Sequence, residues 1–122
     1  MAIEKIYTRG KSKFSDRIEM WCAEKNFEFS YLDKEDKNME ELDSLVIFHE
    51  DHNLDSVALE LRVVFEKKLK PIHKIDVNGT KQVSISHFGL WVERNNCKSL
   101  LLVGTDALIE SDSFETLLSK MA

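Results

Sequence analysis

Arg9-Gly10-Lys11-Ser12 sets two cations, a glycine and a hydroxyl in four consecutive residues. Where such a segment opens a helix, the unpaired amides of the first turn and the positive end of the helix dipole converge with the cations, and that point attracts a phosphate or a carboxylate. The plainer alternative is a solvated turn. His49-Glu50-Asp51-His52 gathers two imidazoles and two carboxylates. That set could supply metal ligands, or let His49 act as a general base oriented by Glu50 or Asp51. Its bland reading is a polar loop. Asp76 and the run Gly104-Thr105-Asp106 are the remaining polar candidates. An aspartate so placed either hydrogen-bonds a ribose or caps the next turn.

Spacing limits each of these. The Gly-Lys-Ser tail would suit a phosphate-binding loop, but that motif needs a further glycine five residues before Gly10, and Lys5 stands there. No Gly-x-Gly-x-x-Gly dinucleotide fingerprint occurs, and four glycines in the whole chain leave little scope for close backbone approach to a pyrophosphate. A stable zinc site wants three or four ligands of fixed geometry, whereas His73 and His87 belong to other elements with no motif linking them to His49 and His52. No metal is therefore assigned, and no cofactor is identified. Cys22 and Cys97 share no local motif with a histidine and read as a core and a surface thiol, reduced and unlinked.

These residues need elements to position them. Apolar strand-like runs alternate five times with amphipathic helix-like runs, the rhythm of a parallel sheet with crossover helices. The strands are expected at Ile3 to Tyr7, Phe27 to Leu32, Ser44 to Phe48, Pro71 to Val77 and Leu100 to Val103. A first helix should start near Ser12 or Ser15 and run to Lys25, with Phe14, Ile18, Trp21 and Cys22 on one face and Asn26 ending it. Met39 to Leu42 has room for only a turn or two. The strongest helical pattern spans Leu54 to Lys70, capped by Asn53 or Asp55, with Val57, Leu61, Val64, Phe65 and Leu69 as its buried stripe and Pro71 as its stop. Lys81 to Asn95 makes another helix, with Val83, Phe88, Trp91 and Val92 facing inward. Gly104 to Asp112 reads as irregular, and Ser113 as the cap of a closing helix through Met121.

At 122 residues and 43% hydrophobic, the chain is expected to form one domain over residues 1–122. The formal charge is −5, from 17 basic and 22 acidic side chains, which weakens attraction to phosphate backbones and argues against nucleic acid as a partner. No apolar stretch approaches the ~20 residues that span a bilayer, and the N-terminus lacks a signal-peptide pattern, so the expectation is a cytoplasmic protein away from membranes. A homo-oligomer stays open.

From Asp43 onward the order of residues resembles the Rossmann-like superfamily of the lysine-decarboxylase-like proteins and the molybdenum cofactor carriers. Asp43-Ser-Leu-Val-Ile-Phe before a polar loop, a long helix carrying Glu60-Leu61, and Lys70-Pro71-Ile72-His73-Lys74-Ile75-Asp76 carry the likeness. Trp91-Val92-Glu93, followed by a strand and Gly104, is similar to the carrier ending. The resemblance covers about two thirds of the chain and implies nucleotide-like ligands held by glycine-rich loops. Here the first loop keeps only Gly10, and Asn53 or Leu54 stands where the second loop would have glycine.

The resulting expectation is a three-layer α/β/α domain with a five-stranded parallel sheet in the order 2-1-3-4-5. Its strand C-termini would form a rim of Arg9, Gly10, Lys11, Ser12, His49, Glu50, Asp76, Gly104, Thr105 and Asp106. The leading reading is a degenerate binding domain for a small anionic or nucleotide-like ligand. The alternatives are an interaction or structural module that has lost its ligand, and a small nucleotide or nucleoside hydrolase using His49.

Overall fold

The structure, a computed structural model, describes residues 3–32, 42–50 and 55–121. Its elements follow in the order β1 (Lys5–Arg9), α1 (Lys13–Lys25), β2 (Glu28–Leu32), β3 (Ser44–His49), α2 (Ser56–Lys67), β4 (Ile72–Asp76), α3 (Lys81–Asn95) and β5 (Ser99–Val103). A 3-10 turn (Asp106–Glu110) and α4 (Asp112–Lys120) close the chain. The segment 39–42 lies outside the described residues except for Leu42, which is buried.

All four strand pairings are parallel, but the order is β2-β1-β5-β3-β4. The expected neighbours β1 and β3 are therefore separated by β5. Burial gives the reason. Strands covered on both faces read as continuous apolar runs, and Leu100-Leu101-Leu102-Val103 is such a run, with all four residues buried. In β4, Ile72-His73-Lys74 breaks the run, and that strand takes the edge. The register fits β5 between its neighbours, with Tyr7 opposite Leu101 on one side and Leu45 opposite Leu101 on the other.

Alternate residues of the central strands divide the core in two. Ile6, Val46, Phe48, Ile75, Leu100 and Leu102 pack on one face against α1, α3 and α4. Tyr7, Leu45, Ile47, Leu101 and Val103 pack on the other against α2. The connections β1 to β2 and β4 to β5 step one way along the sheet, and β3 to β4 steps the other. A constant right hand then puts α1 and α3 on one face and α2 opposite. This is a Rossmann-like α/β architecture.

Local chemistry sets the helix ends. Ser12, Asp55 and Ser111 cap α1, α2 and α4 with side-chain oxygens. Ser111 takes the role expected of Ser113. Asn26 and Asn96 close α1 and α3 in the left-handed conformation, at φ 62° and 51°. Helix α2 stops at Lys67, short of Lys70, because Leu69 turns left-handed at φ 57° to feed β4. Leu69 is consequently 92% exposed instead of part of the buried stripe. Val83, expected inward on α3, is exposed as well. Cys97 follows α3 and is buried instead of superficial; both cysteines are free.

Candidate functional site

Adjacent chain connections diverge around the carboxyl ends of β1, β5 and β3, and in open α/β sheets that divergence leaves a crevice for ligands. A cleft of about 270 Å³ opens there, lined by Arg9 and Ser12 from the first loop, Gly104, Thr105 and Asp106 after β5, and Asp55 at the start of α2. Phe14, Ser15 and Val57 contribute to its walls.

The first loop is built around Gly10, whose φ of 69° lets the chain leave β1 without a Cβ penalty. Its amide donates to the carbonyl of Leu32 at 2.8 Å, and its own carbonyl accepts from Ser15 Oγ at 2.8 Å. Ser12 Oγ then accepts from the amide of Ser15 at 3.1 Å. A second helix amide, that of Phe14, donates to Asp106 Oδ1 at 3.1 Å. The α1 N-terminus therefore already holds a carboxylate of this chain. Across the cleft, Asp55 Oδ1 accepts from the amide of Ala58 at 2.8 Å.

Gly104 serves packing. A Cβ placed there would lie 2.6 Å from Phe14 Cε2 and 2.8 Å from Leu108 Cδ1, so glycine is what lets α1 and the 3-10 turn close over the end of β5. Thr8, one residue before Arg9, is fully buried, and its hydroxyl has no hydrogen-bond partner among the described residues. Arg9 is half-buried, and its guanidinium makes no ion pair or hydrogen bond among the described residues. It borders a second depression on the α2 side, shared with Glu60, Leu61, Val63 and Val64.

Of the rim expected from sequence, the cleft thus brings together Arg9, Ser12, Gly104, Thr105 and Asp106. Gly10 and Lys11 belong to the same loop without lining the cleft. His49, Glu50 and Asp76 also stand outside it. His49 ends the central strand β3 and is 4% exposed. Asp76 Oδ1 accepts from the amide of Asn78 at 3.0 Å within the turn after β4. Asp51 and His52 lie outside the described residues. The described residues contain no group of three or more histidine, cysteine or acidic side chains able to hold a metal ion. Asp55 was legible as a helix cap, but its place in the cleft follows from the strand order.

One ion pair ties the first helix to the last. Arg17 Nε bonds both carboxylate oxygens of Glu115, at 2.8 and 2.9 Å, tying α1 to α4. The pairing pulls the Glu115 carboxyl below its ordinary range and raises Arg17.

No protein-family model matches the chain, and no curated protein matches it. Among solved structures, a protein described as "Putative molybdenum carrier protein" from Syntrophus aciditrophicus has the same fold, with a TM-score of 0.71 over 96% of this chain and 91% of the other. The two share 14% sequence identity. No helix among the described residues is long and apolar enough to cross a membrane.

Proposed function

We propose that this chain is a small-molecule binding domain whose site is the cleft at the carboxyl ends of β1 and β5. The observation that carries the reading is the meeting of Arg9, whose guanidinium has no partner among the described residues, with two aspartates that keep acceptor capacity, at the point where an open parallel sheet offers a crevice. Because Asp106 occupies an amide of the α1 N-terminus, an anionic group would rest on Arg9, not on the helix dipole. Asp55 and Asp106 would accept hydroxyl or amine donors from the rest of the ligand. A small anionic or nucleotide-like molecule meets both demands. The structural neighbour is described as a "Putative molybdenum carrier protein", and molybdate serves as a bare oxyanion that would use Arg9 alone.

A thermal-shift panel of adenosine monophosphate, ribose 5-phosphate, phosphate and molybdate tests this. A ligand at one hundred times its Kd adds about 2.7 kcal/mol of native stability, enough to move the midpoint clearly. At least one compound should raise Tm, and Arg9→Ala should abolish the effect while leaving Tm of the free protein within about 2 °C. Silence across the panel would favour a second reading, a module that kept the fold and lost the ligand. One observation supports that alternative: the Asp106 carboxylate stands where a bound anion would meet the first turn of α1.

A further inference from the structure

Crossover helices run back against their strands, so the C-terminal half of α3 lies beside the beginning of β4, at the end of the sheet away from the cleft. A depression of about 310 Å³ opens there, lined by His73 of β4 and by His87, Leu90, Trp91, Arg94 and Asn95 of α3. We propose that it is a second small-molecule site, taking an aromatic carboxylate whose ring rests on Trp91 and Leu90 and whose charge meets Arg94.

Charge is the first argument. The chain has four arginines. Arg17 is paired with Glu115 and Arg62 with Glu66. Arg94 makes no ion pair or hydrogen bond among the described residues, and the lining around it includes no carboxylate. In a protein of net charge −5, a guanidinium with no partner among the described residues, beside a hollow that no described carboxylate lines, is complementary to an anion.

The second argument is shape. Positions 87, 91 and 94 recur at helical spacing and share one face of α3. Trp91 is held in place: the His73 ring stacks on it with centroids 5.0 Å apart and planes 25° from parallel, and Phe88 lies 6.3 Å away. Asn95 Nδ2 donates to the Trp91 carbonyl at 2.9 Å, fastening the last turn. Burial, reinforced by His87, holds the His73 imidazole below its ordinary range, so it stacks as a neutral ring. A bare oxyanion would use Arg94 and leave the indole and the half-exposed Leu90 idle. A ligand with a flat apolar body and one carboxylate uses all three.

The test uses the indole signals of the full chain. Two tryptophans give two indole N–H resonances, and Trp21, with no exposed surface, is an internal reference. Benzoate should shift the Trp91 resonance saturably, with a Kd on the order of 1 mM or tighter. Acetate and benzyl alcohol, which lack the ring and the charge respectively, should each bind at least about tenfold more weakly. Arg94→Gln should weaken benzoate by about tenfold or more, while Arg9→Gln, at the other end of the sheet, should leave it unchanged. Absence of saturation, equal binding of acetate, or full affinity in Arg94→Gln would each overturn the proposal.

Discussion

The two ends of the sheet treat their carboxylates differently. At the amino ends of the strands, Asp43 is saturated: Oδ2 accepts from the amides of Lys98 and Ser99 at 2.7 and 3.0 Å, and Oδ1 from Ser44 Oγ at 2.7 Å. Its own amide donates to the Ser99 carbonyl, so one residue stitches the start of β3 to the start of β5. At the carboxyl ends, Asp106 and Asp55 each accept one helix amide and keep lone pairs in an open cleft with Arg9. The Asp43 carboxylate is spent on strand order. The open carboxyl end leaves Asp55 and Asp106 with acceptor capacity facing the cleft.

Breaking the Asp43 stitch should have the largest effect. Asp43→Ala removes a charged acceptor from two backbone amides at once, and hydrogen bonds to charged groups contribute about 1.5–3 kcal/mol each. We expect a loss of about 3 kcal/mol, read as a fall in Tm of about 10 °C for a domain of this size. A change under about 2 °C would show that solvent replaces the carboxylate without cost. Gly104→Ala comes next. Its Cβ meets the Phe14 ring at 2.6 Å and Leu108 Cδ1 at 2.8 Å, so these side chains must give way, and overpacking of this kind costs about 1–3 kcal/mol. Because Phe14 lines the cleft, any ligand affinity should fall along with urea stability.

Residue chemistry close in sequence was readable before the structure. Lys81–Asn95 forms the helix its pattern indicates, Asn26 ends α1, and Ser12 caps it. These features depend on neighbours a few residues apart. Strand order depends on which strand can be covered on both faces. The signal was present in the unbroken Leu100–Val103 run and in the polar His73 and Lys74 of β4, but the short β2–β3 connection argued for the wrong neighbour. The site inherited that difficulty. Arg9, Ser12 and Asp106 follow from the rule that ligands bind at strand C-termini. On sequence, His49 is a candidate for ligand contact or acid–base chemistry because of its polar company, yet it ends a strand buried throughout and lies outside the cleft lining. No composition rule distinguishes a histidine just inside the sheet from one just beyond it.

A smaller effect would sharpen the difference between capping and binding at the open end. Asp106→Ala removes the acceptor of the Phe14 amide, and loss of a helix-cap interaction costs about 1 kcal/mol. If Asp106 only caps α1, Asp106→Asn should restore most of that stability and leave the thermal-shift profile unchanged. If the carboxylate also takes a ligand donor, Asp106→Asn should be stable and still bind more weakly. Equal behaviour of Asp106→Ala and Asp106→Asn in both stability and binding would argue against either role.

The smallest expected effect lies in the Arg17–Glu115 pair, which holds α4 and α1 together. Its bidentate geometry favours the ionised carboxylate, and Glu115 is lowered in the folded protein chiefly by that hydrogen bond. A group lowered in this way binds fewer protons folded than unfolded. Its contribution is therefore complete above the unfolded carboxylate range near pH 4.3 and is lost as pH falls through the lower folded value. Glu115 is 41% exposed, so solvent screening keeps the contribution below about 1 kcal/mol. Glu115→Gln should accordingly cost a few tenths of a kcal/mol up to about 1 kcal/mol at pH 7 and nothing further at pH 3, so that the urea curves of the variant and the parent converge on acidification. A gap that stays constant from pH 7 to pH 3 would mean that Glu115 acts through packing of its side chain. The tie between α4 and α1 would then owe nothing to charge.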